Sequence, residues 1–356
     1  MDTNMKKNLL FLFTFNLFIL QLQGVEAFVK AINKPGGTNF VHAPSIVEVG
    51  PGVLLAAFYA GSQFQSPDTK IYASRYENEQ WSEAVAVASS DEITTNLPSA
   101  ISKQPGETPC WDPTLCNVNG ALFLFYKIGE SPYSWTGALK RSYDGGKTWS
   151  KPELLARHGV VGPHKNKPLL LPDGSLVCPS ARSSWQSWTG YVDILKHAGA
   201  ANEAWQAVGP LTYDDPASGI LQPTIFTDRE NNLRMLFRTK NVPFLCTATS
   251  CDGGVTWSKV EPTAVQSNDS CCDAVTLRDK RVLLVYNDLP AGQRYKLDLA
   301  ISGDGGTTWQ NIVVLEECDD HKKNVCFPAI IQASDDVVHV LYVYNNESIT
   351  HVMIKS

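Results

Sequence analysis

Six apolar segments of the chain open with residues able to do chemistry. They are His42 in HAPSIVEVGPGVLLAAF, Trp111 and Asp112 in WDPTLCNVNGALFLFYK, and Lys165 with Lys167 in GPHKNKPLLLPDGSLVCPS. The other three are Gln222 in LQPTIFTDRENNLRMLFR, Asp273 in CCDAVTLRDKRVLLVYN, and Cys326 in CFPAIIQASDDVVHVLYVY. Two carboxylates, two lysines and an imidazole are too chargeable a set for packing alone, because Asp and Lys are rarely buried unpaired. Brought together, they suit a pocket that binds a small anionic ligand and moves protons. Arg238 ends an apolar strand, where an unpaired guanidinium is costly, and so adds a cation for the anion. Lys127 ends the matching strand of the second segment and Arg182 follows that of the third. Each residue also has a plainer role: Asp112 and Asp273 suit capping of backbone amides, and the lysines suit a solvated loop. His164, beside Lys165, reads as a loop hydrogen-bonder rather than a base.

Four tryptophans, Trp111, Trp135, Trp185 and Trp188, fall in the strand starts or loops of the second and third segments. Sugar rings stack their C–H faces on aromatics, so the cluster suits a glycan wall as well as it suits core packing. Trp111, beside Asp112, is the preferred wall residue.

The elements that must position these groups are written in a repeat. RSYDGGKTWS, TSCDGGVTWS and ISGDGGTTWQ share Ser-x-Asp-Gly-Gly-x-Thr-Trp, and SRYENEQWS and HAGAANEAWQ are worn relatives. Asp-Gly-Gly is hairpin-turn chemistry: glycine takes positive φ cheaply and aspartate bonds the backbone that follows it. The box tryptophans are Trp81, Trp149, Trp205, Trp257 and Trp309, the last two intervals being 52 residues each. The six paired-strand segments interleave with them. Six units near 50 residues, each two hairpins long, predict an all-β chain folded as a six-bladed β-propeller. Six starts against five boxes predict that an N-terminal strand completes the last blade, which leaves no free edge. The strand starts then border the central mouth.

Composition bounds the rest. Lys6 and Lys7 precede an apolar run to about Leu20, and Val25-Glu26-Ala27 offers a small-residue cleavage site. Residues 1–27 therefore read as a secretory signal, leaving one domain over 28–356 in an oxidising compartment or outside the cell, with no membrane span after removal. Asn268-Asp-Ser270 and Asn346-Glu-Ser348 are glycosylation acceptors suited to that route. Net charge is -6 without basic clusters, which argues against nucleic acid. Of nine cysteines, Cys271 with Cys272 and Cys318 with Cys326 are placed to staple loops. No cysteine or histidine spacing matches a transition-metal site, and no cofactor is expected. A monomer is expected.

The boxes on a six-bladed propeller resemble the sialidase (neuraminidase) superfamily, and the strand starts with DTKIYASR, FYKIGESPYSWTG and DAVTLRDKRVLLVYN look like its branch of predicted neuraminidases with BNR repeats. The resemblance implies three arginines on the sugar carboxylate, an aspartate acid/base, and a tyrosine nucleophile activated by a glutamate. It places Arg238 as the second arginine, Arg294 of GQRYKLDLAIS as the third, and Asp68 of SPDTKIYASR in the region of the acid/base. The first arginine's position holds His42, the glutamate's Gln222, and the tyrosine's Val325 or Cys326.

The leading expectation is a secreted, exo-acting glycoside hydrolase for an acidic sugar, sialic acid or a relative. Lys165, Lys167, Arg238 and Arg294 would bind the carboxylate, Asp68 or Asp112 would protonate the leaving oxygen, and Asp273 would activate water. The alternatives are a lectin-like propeller that kept the anion pocket, and a polysaccharide lyase with His42 or Tyr126 as base.

Overall fold

The computed structural model describes residues 20–22, 25–93 and 108–355. Most of the expected signal segment lies outside them. The chain is all-β, and its strands form six sheets, the blades of a β-propeller. Blade 1 opens with Phe40–Gly50, blade 2 with Cys110–Val118 and blade 3 with Leu169–Leu170. Blade 4 opens with Gly219–Thr227, blade 5 with Asp273–Thr276 and blade 6 with Val325–Gln332. As the box count predicts, the ring closes through an N-terminal strand. Val25–Ile32 pairs antiparallel with Ser348–Lys355 on the outside of blade 6, Ala27 facing Ile354. Five of its residues, Phe28 to Ile32, follow the expected cleavage point.

Each complete box is a hairpin tip. Asp144 Oδ1 accepts the backbone N–H groups of Lys147 and Thr148 at 3.0 and 2.9 Å, and Oδ2 accepts Thr148 Oγ1. Ser142 Oγ donates to the same carboxylate and accepts from Gly146 N, where φ is +87° and a side chain would be strained. Asp252 and Asp304 repeat the pattern, and the hydroxyl and backbone bonds they accept pull both carboxyls down to about 2. The box tryptophans pack toward the preceding blade: Trp205 on Phe125 and Trp309 on Phe226, ring centroids 6.2 Å apart in each pair. None of the five borders the mouth. Trp81 Nε1 donates to His351 Nδ1 at 3.1 Å, and His351 Nε2 lies 3.0 Å from His339 Nδ1. This chain of rings crosses from blade 1 to blade 6, the seam that closes the circle.

At the inner strands the backbone breaks regular pairing. Four of them shift register over two residues, at His42/Ser45, Trp111/Thr114, Leu221/Thr224 and Cys326/Ala329. In each bulge the residue before proline is left-handed: Ala43 (φ 48°), Asp112 (42°), Gln222 (46°) and Phe327 (55°). Lys165 (73°) is its counterpart in blade 3. Non-glycine residues pay for this geometry, and proline disfavours helical φ/ψ before it, so the strain is held by the surrounding ring.

Past the bulges, side chains staple neighbouring blades. Leu115 N donates to Ser45 Oγ at 2.9 Å, Ala274 N to Thr224 Oγ1 at 3.0 Å, and Ile330 N to Asp273 Oδ2 at 2.9 Å. Blade 3 then fills the axis. Lys165 Nζ donates to Pro328 O, the Asn166 amide lies 3.0–3.2 Å from the carbonyls of Gln222, Pro223 and Cys272, and Lys167 Nζ meets both Asp273 oxygens at 2.9 and 2.8 Å.

All nine cysteines are free thiols, so the expected staples at Cys271, Cys272, Cys318 and Cys326 do not form; all but Cys251 are buried in the blades. Asn268 is buried, its amide given to Gln293 O, and does not present the acceptor its triplet suggested. No helix among the described residues is long and apolar enough to cross a membrane.

Two predictions follow from the ring. Asp273→Ala removes four inter-blade bonds, from Lys167, Thr224 and Ile330, and leaves Lys167 without its counter-charge. The expected loss is roughly 2–3 kcal/mol, below the fully buried range because Lys167 is part-exposed. Denaturant melts that place the variant within about 1 kcal/mol of wild type would remove the pair from this role. Burial pushes the His339 imidazole down to about 4 against an unfolded value near 6.5, and His351 is lowered as well. Between those values the unfolded chain binds more protons, so stability falls as pH drops from about 6.5 to 4. Asp335, Glu48, Lys355 and Lys30 are the charges facing the pair. His339→Asn should make the melting temperature fall less steeply over that window.

Candidate functional site

A cavity of about 280 Å³ occupies the mouth. Its walls divide by chemistry. Blades 1 to 3 supply aromatics: Tyr59, Phe64, Trp111, Tyr133, Trp135 and Trp188. Blades 4 and 5 supply Gln222, Arg238 and Arg294, and His42, Asp112, His164 and Phe327 complete the lining. The bulges explain the selection. Residues one place before the left-handed position, His42, Trp111, His164 and Leu221, all line the cavity, and so do the left-handed Asp112, Gln222 and Phe327.

The cationic side is organised by one turn. Arg238 Nε donates to Asp269 Oδ1 at 2.9 Å, Arg238 Nη1 donates to Gln222 Oε1 at 2.8 Å, and Arg294 Nη2 donates to Asp269 O at 2.8 Å. Arg238 also lies over the Trp188 ring, 5.2 Å from its centroid. One Asp269 thus holds both guanidiniums, Arg238 through its carboxylate and Arg294 through its backbone carbonyl, and the surplus positive charge suits an anion.

Opposite them, Asp112 is the only carboxylate among the described lining residues. Burial alone would raise its carboxyl. The His164 hydrogen bond (Nε2 to Oδ2, 3.4 Å), with the neighbouring imidazoles and the Lys127 ammonium, outweighs burial and holds it below the usual range, so it is ionised. Burial lowers His164 despite Asp112, and pushes His42 down to about 3, so His42 is neutral. His42 Nδ1 has no hydrogen-bond partner among the described residues, and its ring sits 4.1 Å from Phe327 and 5.4 Å from Tyr59. The Tyr59 phenol is pushed far up, by burial first and then by Asp112 and Cys326, and keeps its proton.

Eight of the residues expected from sequence therefore meet at the cavity: His42, Trp111, Asp112, Trp135, Trp188, Gln222, Arg238 and Arg294. The others lie elsewhere. Asp273, Lys165 and Lys167 sit in the axial plug. Asp68 is on the loop after Gly61, accepting from Ser62 N at 3.2 Å and from Ser66 Oγ, and so fixes the loop that carries Phe64 into the wall. Lys127 is fully buried, its Nζ donating to Val161 O at 2.6 Å and Pro163 O at 2.7 Å; burial lowers it to about 8 against the pull of Asp193 and Asp112. It anchors the segment that delivers His164. Arg182 lies over the Tyr191 ring at 4.1 Å, and Tyr126 is buried in the core. Cys326 is buried beside Arg294, leaving Phe327 to face the cavity. Tyr59, His164 and Phe327 are cavity residues that sequence reasoning did not assign, and Asp269, which holds both arginines, is a further residue it missed. No cluster of three or more metal-ligating side chains occurs among the described residues.

The comparisons agree with this architecture. The family model for the BNR repeat-like domain matches residues 52–340. No curated protein matches the chain significantly. Among solved structures, the chain is similar to the Hadza microbial sialidase Hz136 (TM-score 0.71, 16% identity, 91% of this chain and 67% of that one). It is equally similar to a protein of unknown function from Dyadobacter fermentans (TM-score 0.73, 16% identity, 94% and 100%). Trypanosoma rangeli sialidase aligns with TM-score 0.66 at 15% identity over 92% of this chain, which spans 59% of that longer protein. The bladed ring, its Asp boxes and the match over residues 52–340 place this chain in the BNR repeat-like domain family, within the sialidase-like BNR-repeat superfamily.

Proposed function

We propose that the mouth binds a glycan ending in an acidic sugar, a sialic acid or a related carboxylate sugar, and releases that sugar by exo-acting hydrolysis in a secretory compartment or outside the cell. The observation that carries this reading is the division of one cavity into two guanidiniums, one ionised carboxylate and an aromatic wall. The substrate carboxylate pairs with Arg238 and Arg294, which fixes the ring against the aromatics. Asp112 then faces the positive charge that develops at the anomeric carbon. A tyrosine–glutamate nucleophile pair has no counterpart at Val325 or Cys326 and Gln222, so the attacking group is water. Its oxygen bonds the anomeric carbon as the bond to the aglycone oxygen breaks; Asp112, steadied by His164, takes the water proton. The leaving oxygen takes a proton from solvent at the open mouth.

A second reading rests on His42. In it the unpartnered nitrogen of the buried, neutral His42 takes the proton beside a uronate carboxylate, the arginines stabilise the enolate, and the glycosidic oxygen leaves with a solvent proton as the C=C bond forms. That chemistry is elimination.

Incubation with sialylated and uronate-bearing glycans separates the possibilities. Hydrolysis frees the acidic sugar and leaves no ultraviolet-absorbing product, elimination leaves one, and binding without turnover marks a lectin. On a confirmed substrate, Asp112→Asn should lose ~10²–10⁴ in kcat, whereas Asp68→Asn should stay within about threefold of wild type because its carboxylate serves the loop. Equal losses in the two variants would move the chemistry away from Asp112. Arg238→Ala should weaken acidic-sugar binding by roughly 10- to 100-fold, the worth of a charge-assisted pair. Unaltered affinity would place the anion site elsewhere.

A further inference from the structure

One aromatic pair is left unused by the cavity itself. Trp185 exposes 84% of its surface, although tryptophan is ordinarily largely buried. Its ring stacks on Tyr133 at 4.4 Å between centroids and 30° between planes, and Tyr133 is itself 40% exposed. Two blades meet there: Tyr133 comes from the loop after Ala121–Ile128, Trp185 from the turn between Leu176–Ser183 and Trp188–Lys196.

Both mounts are stiff. Ser184 Oγ accepts Gln186 N and Ser187 N at 3.2 and 3.0 Å, and Ser184 N donates to Ser187 O at 2.9 Å, closing a tight turn with Trp185 at its tip. Ser131 O accepts both Ser134 N and Trp135 N at 3.1 Å beneath Tyr133. The position is also defined. Ser183 and Trp188, at the feet of the Trp185 turn, line the cavity, as does Tyr133. Tyr133 therefore belongs to the aromatic wall, and Trp185, stacked on it, carries that wall outward into solvent.

We infer that Tyr133 and Trp185 form a second sugar subsite, which stacks the neutral ring attached to the acidic one. The inference rests on the acidic-sugar reading of the cavity. It narrows the substrate to a conjugate of two or more sugars: the charged ring goes to the arginines, and the next ring leaves the mouth across the aromatic pair. An exposed, prefixed ring offers a sugar C–H face a surface already ordered, so little entropy is lost on binding.

The test uses calorimetry on the full chain with two matched ligand pairs. These are free sialic acid and its S-linked conjugate with lactose, and free glucuronic acid and its S-linked disaccharide; the sulfur linkage resists cleavage. The conjugate should bind wild type roughly five- to tenfold more tightly than the free acid, the worth of one stacking contact. Trp185→Ala should erase that difference and leave the affinity for the free acid unchanged, and Trp185→Phe should restore most of it. Equal affinities for acid and conjugate in wild type, or an equal loss on both ligands in Trp185→Ala, would overturn the subsite. Failure of wild type to bind any of the four would overturn the acidic-sugar reading, and the subsite with it.

Discussion

The Lys167–Asp273 pair on the propeller axis is the contact on which the site's geometry depends. Six blades packed in a ring leave a channel, and each blade must be held at a fixed angle to its neighbours. Here the third blade sends Lys165, Asn166 and Lys167 across the channel to the fourth, fifth and sixth, while Asp273 ties Thr224 on one side to Ile330 on the other. A charge pair in such a place is worth having only when every remaining lone pair is satisfied. Asp273 meets that condition with bonds from Lys167, Thr224, Ala274 and Ile330. The plug also closes the floor of the mouth, so that a tunnel becomes a cup.

Much of the fold was legible because its signals are local. Asp-Gly-Gly with a following Thr-Trp fixes a hairpin tip by its own hydrogen bonds, and three such tips with two worn relatives give a blade count. The site was legible only in part, for a geometric reason. Strand alternation decides which face a side chain takes, and a bulge resets the alternation. Before the bulge His42, Trp111, His164 and Leu221 point into the cavity; two residues after the left-handed position, Lys167 points down the channel. Sequence grouped Lys165 and Lys167 with His42 as one rim, since nothing in GPHKNKP marks where the register breaks. The signal for His164 was nonetheless present, at the place occupied by Trp111 in WDPT. Tyr59 and Asp269 had none, because each meets the site through a different blade's geometry.

The electrostatics follow from that arrangement. Lysine groups below the cup, arginines beside it and neutral imidazoles at its floor leave Asp112 the one ionised acid among the described lining residues. Its charge persists despite burial because His164 hydrogen-bonds it and the buried Lys127 ammonium lies near. The cost is carried by backbone strain at Asp112 and Gln222, which the ring over-determines.

Closure by the strand Val25–Ile32 has a consequence for biosynthesis. A chain made from its N-terminus commits that strand first, yet its partner, Ser348–Lys355, is made last. Phe28 to Ile32 must wait with their ladder unmade while five blades form beside them, a hazard for wrong pairing. Joining the two ends is the most non-local contact the chain makes, which places it late and makes it slow. Export or a chaperone acting before the last fifty or so residues emerge would therefore handle an open crescent rather than a ring, and the mouth's aromatic and arginine walls would first face each other only when the ends meet.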